Sequence, residues 1–473
     1  MGNAADSPIL LAMFSRDTYV NRRNLLASRF EGGLLVLPGN NESPMNYADN
    51  CYAFRQDSTF LYYFGLDQPE LVAVIDVDVG TATIFGDELT IDHIVWMGDL
   101  PTIAERAERV GVSDTRPLSD VTNLVAEARA NGRDVHYLPP YRADTTLWLA
   151  DLLGMAPARV EAGASTNFVR AVVDQRNFKS DEEIAEIERA VEVSVAMHEA
   201  AIRMARPGVT EAEIAAEVSR IADAAGGRLS YPIIATIHGE ILHNHIHTNT
   251  LSDGDLFLLD AGAETALGYA GDLSSTCPVG PRFSDRQRTI YELQLAAQVT
   301  AVDALAPGVP FRDVHLAACR MIFDGLKDLG IMKGDTDEAL AAGAHAMVFQ
   351  CGTGHMMGLD VHDMENLGEV WVGYDGEPKS TQFGLKSLRL ARPLQPGFVV
   401  TVEPGIYFIP QLMDLWRSEG HCAEFIDFDE LDKWRDFGGL RNEEDFLITP
   451  EGARRLGPHK PQTVEEIEGL RGG

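Results

Sequence analysis

Two stretches a hundred residues apart carry the same punctuation, and this duplication constrains the fold more than any other feature of the chain. In the first, Ser180 with Glu183 makes a capping-box pattern, and Ile184, Ile187, Val191, Val195 and Ile202 recur at helical spacing until Pro207-Gly208-Val209 stops the run. Thr210 with Glu213 opens a second helix carrying Ile214, Val218 and Ile221, which ends at Gly226-Gly227. In the second stretch Ser284 with Gln287 opens a helix that runs to Pro307-Gly308-Val309, and another follows to Gly330. Each helix pair leads into strand-like sequence holding a histidine, His243 or His355. A single duplication is not a solenoid, which needs at least three short repeats. It predicts two related halves with strands side by side and helices outside, so that a site between the halves draws side chains from both.

Before about Arg176 the pattern differs. Gly33 to Leu37 and Leu71 to Val77 read as short strands, and Pro101 to Val110 and Asp120 to Ala130 as helices, which gives a smaller α/β domain. The expected organisation is an N-terminal domain over residues 1–176 and a larger, pseudo-twofold α/β (α+β) domain over 177–473. The polar group Phe54 to Ser58 reads as a surface turn.

Charge narrows the partners. With 72 acidic against 39 basic residues the net charge is -33, which repels phosphate backbones and argues against nucleic acid. Only Pro8 to Phe14 is an apolar run near the N-terminus, and nothing reaches the roughly 18 apolar residues of a membrane span. Gly2 lacks the Ser or Thr that myristoylation wants where Asp6 stands, so a cytoplasmic protein is expected. The five cysteines include no C-x-x-C pair, and neither a disulfide framework nor a structural zinc site is expected.

The chemistry concentrates around Leu256 to Gly280. This stretch reads as a β-hairpin with its bend between Glu264 and Gly268. With the bend centred near Ala266, Asp260 and Asp272 become direct cross-strand partners, and like charges so placed call for a cation between them. On this stretch alone, turn capping in solvent explains the pair equally well. Four further segments add polar groups: HGEILHNHIH at His238 to His247, GTGHMMGLDVHD at Gly352 to Asp363, FVVTVEPGIY at Phe398 to Tyr407, and GLRNEEDFLIT at Gly439 to Thr449. Alternation in the last puts Arg441, Glu443 and Asp445 on one face. Together Asp260, Asp272, His355, Glu403 and Glu443 make an oxygen-rich set suited to hard divalent cations, whose carboxylates can bridge two ions.

In order and spacing these segments resemble the pita-bread metallopeptidases, the family of aminopeptidase P, prolidase and methionine aminopeptidase. The resemblance covers essentially the whole chain, because Phe54 to Ser58 with Phe60 to Gly65 is similar to the N-terminal domain of prolidases and aminopeptidases P. Lys386 to Arg389, and the segment from Tyr407 to Phe437, look most like prolidase.

The resemblance implies two divalent ions, manganese with cobalt or zinc as substitutes. Asp260, Asp272, His355, Glu403 and Glu443 would hold them, Asp272 and Glu443 as bridges. It places His243, His362, Arg389 and Arg441 at the substrate, a proline-containing dipeptide or short peptide, in a homodimer. The implied reaction is hydrolysis of the Xaa-Pro bond by a metal-bound hydroxide, with Glu403 relaying the proton, His362 on the oxyanion and His243 at the proline end. Arg389 would pair with the proline carboxylate, which favours a dipeptidase over an aminopeptidase. Two other readings are a pita-bread binding protein without chemistry and a metal-independent amidinohydrolase; the filled acidic positions argue against both. The chain departs from the family in one extra residue between the aspartates, in Cys351 where relatives place a histidine, and in Asn442, which alternation turns away from the site.

Overall fold

The computed structural model describes residues 13–472. The run Pro8 to Phe14 lies outside the described residues except for Met13 and Phe14, and Gly2 and Asp6 lie outside them altogether. The chain forms two compact units that part between Arg176 and Asn177, with Met364–Gly368 grouped with the first.

The first unit is built on a five-stranded mixed sheet in the order Asp114–Arg116, Thr81–Phe85, Val72–Asp76, Leu34–Pro38, Val135–His136. Its three inner strands pair antiparallel and the two edge strands add parallel. Val36, Val74, Val125 and Leu149 meet in its core. The expected helices are found at Ile103–Arg109 and Asp120–Ala130, the first fixed by a Thr102/Glu105 capping box. Phe54 to Ser58 is not a surface turn. Gln56 is buried, its Oε1 accepts the Asn40 N–H at 2.6 Å, its Nε2 donates to Gln68 O at 2.7 Å, and Asp57 caps the helix Ser58–Phe64. A polar tetrapeptide looks solvated in sequence, yet a buried amide is stable when its donors and acceptors are all met.

In the second unit the predicted helix pairs are Asp181–Met204 with Glu211–Ala224, and Asp285–Asp303 with Phe311–Asp328. All three capping boxes form. The first and third helices end three and four residues short of the prolines that were expected to stop them, at Met204 and Asp303. The duplication extends to individual hydrogen bonds. Gly208 (φ 90°) donates to Leu251 O and Leu251 donates to Val209 O; Gly308 (φ 84°) donates to Leu394 O and Leu394 donates to Val309 O. A left-handed residue is needed at both turns, which is why glycine follows proline in both.

The strands behind these turns are antiparallel. Ser274–Pro278, Leu256–Asp260 and Ile234–Thr236 form one sheet; Val399–Val402, Glu444–Thr449 and Gly452–Arg455 form its counterpart. The long first helix of each half backs its own strands: Ser194 Oγ accepts the Ala263 N–H, and Gln294 Nε2 donates to Pro404 O. His243 and His355 do not lie in strands. Both sit in irregular segments, His243 beyond Ile234–Thr236 and His355 beside Val399–Val402.

Buried between helix and sheet, His198 donates from Nε2 to Ala261 O at 2.9 Å and accepts from Ser275 Oγ at Nδ1. Burial, and then nearby Lys460, holds its pKa down from 6.5 to about 3. Between those values the unfolded chain binds one proton more than the folded one, so stability falls as pH drops below 6.5, by about 1.4 kcal/mol per unit from this group. In denaturant titrations the stability gap between wild type and His198→Gln should therefore narrow on acidification; a constant gap would remove His198 from the acid response.

Candidate active site

The hairpin turns at Thr265 to Gly268, one position later than the sequence suggested, so its register is displaced by two. Asp260 pairs with Ser274, and Asp272 is its diagonal neighbour rather than its direct partner. A two-residue displacement preserves the face. Both aspartates consequently reach the same cavity despite the longer bend. What lies between them is the Tyr231 hydroxyl, 2.7 Å from Asp260 Oδ1 and 2.5 Å from Asp272 Oδ1. Among the described residues no protein cation stands between them as expected; Arg441 Nη2 instead donates to Asp260 Oδ2 alone, at 2.5 Å.

The second sheet exposes its glutamates differently. Val402 pairs with Glu444 and Gly405 with Arg441 in one continuous register, which sets Glu403 opposite Glu443. Neither glutamate makes a ladder bond to the other. Glu403 N–H donates to Thr353 O at 2.7 Å and Glu443 N–H to Ser274 O at 3.1 Å, so the ladder opens where the two carboxylates stand. The stretch Gly439 to Thr449 is thus two short strands with different partners, not the single strand its alternation suggested. His355 enters from the side. A side chain at Gly354 would place its Cβ 2.0 Å from Thr401 O, so the glycine before the histidine lets the loop lie against the strand.

These segments line a cavity of about 200 Å³ that includes Asp260, Asp272, His355, Glu403 and Glu443, together with His243, His362, Arg389 and Arg441. All nine residues singled out in the sequence are brought to it. His355 Nε2 is 3.3 Å from Asp272 Oδ2 and 3.7 Å from Glu403 Oε1, and ligand atoms of Asp272, His355 and Glu443 lie within 4.8 Å of one another. His355 Nδ1 is 3.0 Å from Met356 O; with its N–H donated there, Nε2 is the ring atom turned toward the two carboxylates. Buried carboxylates clustered around one ring nitrogen need positive charge among them. The donor set therefore fits metal, and its oxygen content fits a hard divalent ion.

Burial pushes the carboxyl groups of Glu403 and Glu443 upward, Glu403 to about 7, and the neighbouring aspartates push the same way against the opposing effect of Arg441. His243 is exposed in the cavity lining, and partial desolvation and then Arg441 hold it below its usual range, so it is a neutral donor or acceptor. His362 packs edge-on to His355 with ring centres 4.3 Å apart. Arg389 Nε is 3.6 Å from Glu369 Oε1 at the cavity wall. Arg441 also donates from Nη1 to the Tyr407 hydroxyl at 2.7 Å and from Nε to Ser274 Oγ at 2.9 Å, and that serine donates to Glu443 Oε2.

Sequence reasoning missed Tyr231, Ser274 and His245. Tyr231 lies in an irregular segment with no spacing signal, whereas Ser274 is recoverable once the hairpin register is known. Asn442 turns away as expected, and its side chain donates to Gln294 Oε1 at 2.7 Å. Cys351 lines the cavity 3.9 Å from the Tyr407 hydroxyl, and burial pushes its thiol up to about 12.

The model of metallopeptidase family M24 matches residues 185–450, and that of the aminopeptidase P N-terminal domain matches residues 19–137. Human Xaa-Pro dipeptidase is 30% identical over 98% of this chain and 94% of its own length, and the Xaa-Pro aminopeptidase of Escherichia coli K12 is 32% identical over 97% and 98%. Among solved structures, the aminopeptidase of Pseudomonas aeruginosa superimposes with a TM-score of 0.79 at 30% identity, and zinc-substituted E. coli aminopeptidase P in complex with product does so with the same values, each covering 97% of this chain and 98% of the other. The duplicated second unit therefore has the pita-bread fold. With its acidic cavity, its two matched domains and full-length relatives of one catalytic class, the chain belongs to metallopeptidase family M24 and is a metal-dependent peptidase.

Proposed function

We propose that this enzyme hydrolyses Xaa-Pro dipeptides in the cavity between the two halves of its second unit, using two divalent ions, manganese by preference. Asp260, Asp272, His355, Glu403 and Glu443 would hold them. The observation that carries it is the convergence of His355 Nε2 with the buried carboxyl groups of Asp272, Glu403 and Glu443. When bound, the metal supplies a nucleophilic oxygen at neutral pH and polarises the scissile carbonyl.

The chain's own groups do the rest. Glu403 would take the proton from the attacking water and pass it to the leaving nitrogen. His362 donates to the developing oxyanion, and neutral His243 holds the proline end. Arg441 fixes Asp260 and, through Ser274, Glu443. No amide hydrogen is needed at the scissile nitrogen, because proline has none.

Arg389 on the cavity wall supports a dipeptide: a guanidinium satisfied by the proline carboxylate leaves no partner for a chain that continues. A cavity of about 200 Å³, below the roughly 300–1,000 Å³ typical of drug-sized ligands, points the same way. The second reading, an Xaa-Pro aminopeptidase acting on longer peptides, is favoured by the E. coli relative at 32% identity. Turnover of an Xaa-Pro dipeptide and an Xaa-Pro tripeptide with manganese, and again after chelation, separates the two. Dipeptide preference abolished by chelation is expected, and equal rates would overturn the dipeptidase reading. Arg389→Ala should raise the dipeptide KM about tenfold to a hundredfold with little change for the tripeptide. The proposal includes a homodimer, to be tested by light scattering, and a cytoplasmic location, which the five unpaired cysteines support. No helix among the described residues is long and apolar enough to cross a membrane.

A further inference from the structure

A second group of metal-binding side chains is buried behind the cavity. His315 and Cys319 lie one turn apart on the helix Phe311–Asp328, and His345 sits in the short turn Ala344–Met347. They are 0%, 0% and 1% exposed, and one ligand atom from each lies within 4.8 Å of the others. His315 Nδ1 is 2.8 Å from Thr353 Oγ1 and its Nε2 is 3.3 Å from Cys319 Sγ. With Nδ1–H donated to the threonine, the Nε2 lone pair faces the sulfur. A thiol donating to that lone pair would explain these two residues as ordinary core partners. It leaves His345 unexplained, because neither of its ring nitrogens has a hydrogen-bond partner among the described residues. A fully buried imidazole with both nitrogens unsatisfied is among the costliest groups a core can hold.

We propose that His315 Nε2, Cys319 Sγ and a ring nitrogen of His345 form a structural site for zinc, separate from the carboxylate cavity. One thiolate and two imidazoles are a zinc-type donor set, unlike the oxygen ligands that select hard cations. Bonds of about 2.0–2.3 Å put tetrahedral ligands roughly 3.5 Å apart; His315 Nε2 and Cys319 Sγ already stand 3.3 Å apart, so only the His345 nitrogen, within 4.8 Å of both, has to move inward, by about 1 Å. On binding, the Cys319 S–H bond breaks, its electron pair passes to the metal, its proton leaves to solvent, and a water completes the tetrahedron. Burial keeps both imidazoles neutral near pH 7, His315 at about 3 and His345 at about 4, so their lone pairs are available.

The position gives the site a purpose. Thr353, which orients His315, also accepts the Glu403 N–H through its carbonyl at 2.7 Å. A zinc ion there would lock the helix Phe311–Asp328 and the turn at His345 to the loop that holds the second sheet open at its glutamates. The i, i+4 pair with a histidine 26 residues beyond Cys319 matches no short zinc motif, which is why sequence alone did not suggest it.

The test uses the full chain produced in cobalt-supplemented medium. A thiolate-to-cobalt charge-transfer band in the near ultraviolet is expected, because the carboxylate cavity is lined by no cysteine except Cys351. Cys351, which after burial is the next cause holding the Cys319 thiol up, is therefore the control. The band should persist in Cys351→Ser and vanish in Cys319→Ser, and His345→Gln should weaken it. Should the Cys319 variant not fold, X-ray absorption of the zinc-loaded wild type reads the same site, with a sulfur scatterer expected at about 2.3 Å. Absence of both band and sulfur in the wild type overturns the proposal, as does a band that follows Cys351. Neither readout needs hydrolysis, so failure of the peptidase reading would leave this test intact.

Discussion

Replacing Glu403 by glutamine is expected to lower kcat by roughly 10³-fold while making the metal-free protein more stable. The two effects have one origin. Glu403 stands opposite Glu443 where the ladder is interrupted, and burial, with the nearby aspartates, pushes its carboxyl up to about 7. In the empty site its charge is a liability. An isosteric amide removes that charge, and the metal-free protein should gain on the order of 2–3 kcal/mol near neutral pH. With metal the sign reverses, since the variant loses a ligand and a proton acceptor and stabilisation by added manganese shrinks. Calorimetry of both proteins with and without manganese, beside dipeptide turnover, makes the check. A variant destabilised equally in both states would show that Glu403 only packs, and the metal assignment would fail with it.

What could be read in the sequence follows the range of the interactions. Capping boxes at Ser180, Thr210 and Ser284 are local hydrogen bonds between residues three apart, so their signature survives in sequence and all three form. The duplicated turns at Gly208 and Gly308 are legible for the same reason. Register is less so. The sequence suggests a bend centred near Ala266, but the turn closes at Thr265 to Gly268 and shifts Asp260 to face Ser274. The expectation that both aspartates share a face held because the displacement was even.

The opening of the second sheet could not be read from sequence, because the groups that divert the Glu403 and Glu443 N–H bonds, Thr353 and Ser274, come from distant segments. Tyr231 and the His345 side chain were invisible for a related reason: neither lies in a periodic element, and each acquires meaning only from groups far along the chain. Gln56 gave the opposite error. Its polarity suggested solvent, whereas four hydrogen bonds to Asn40, Asp57, Leu66 and Gln68 keep it in the core.

Arg441→Met is the second variant with a large expected effect, and here the loss should be greatest without metal. Its guanidinium is buried and divides its donors among Asp260, the Tyr407 hydroxyl and Ser274. It opposes the upward shift of Asp260, Glu403 and Glu443, joined at Glu403 by Arg389. Methionine fills similar volume but strands Asp260 beside three other carboxyl groups, and removing one partner of a buried ion pair costs about 3–5 kcal/mol. Divalent cations in the cavity supply the missing positive charge, so manganese should recover much of that loss. Arg441→Lys keeps a charge but not the fork: one ammonium cannot reach Asp260, Tyr407 and Ser274 together, and Glu443 loses its indirect support. Lysine should thus restore metal-free stability more fully than turnover. Thermal midpoints of the three proteins, with and without manganese, decide the matter. If methionine costs the same in both conditions, Arg441 acts through packing alone; if the gap closes as metal is added, the guanidinium and the metals neutralise the same carboxylates.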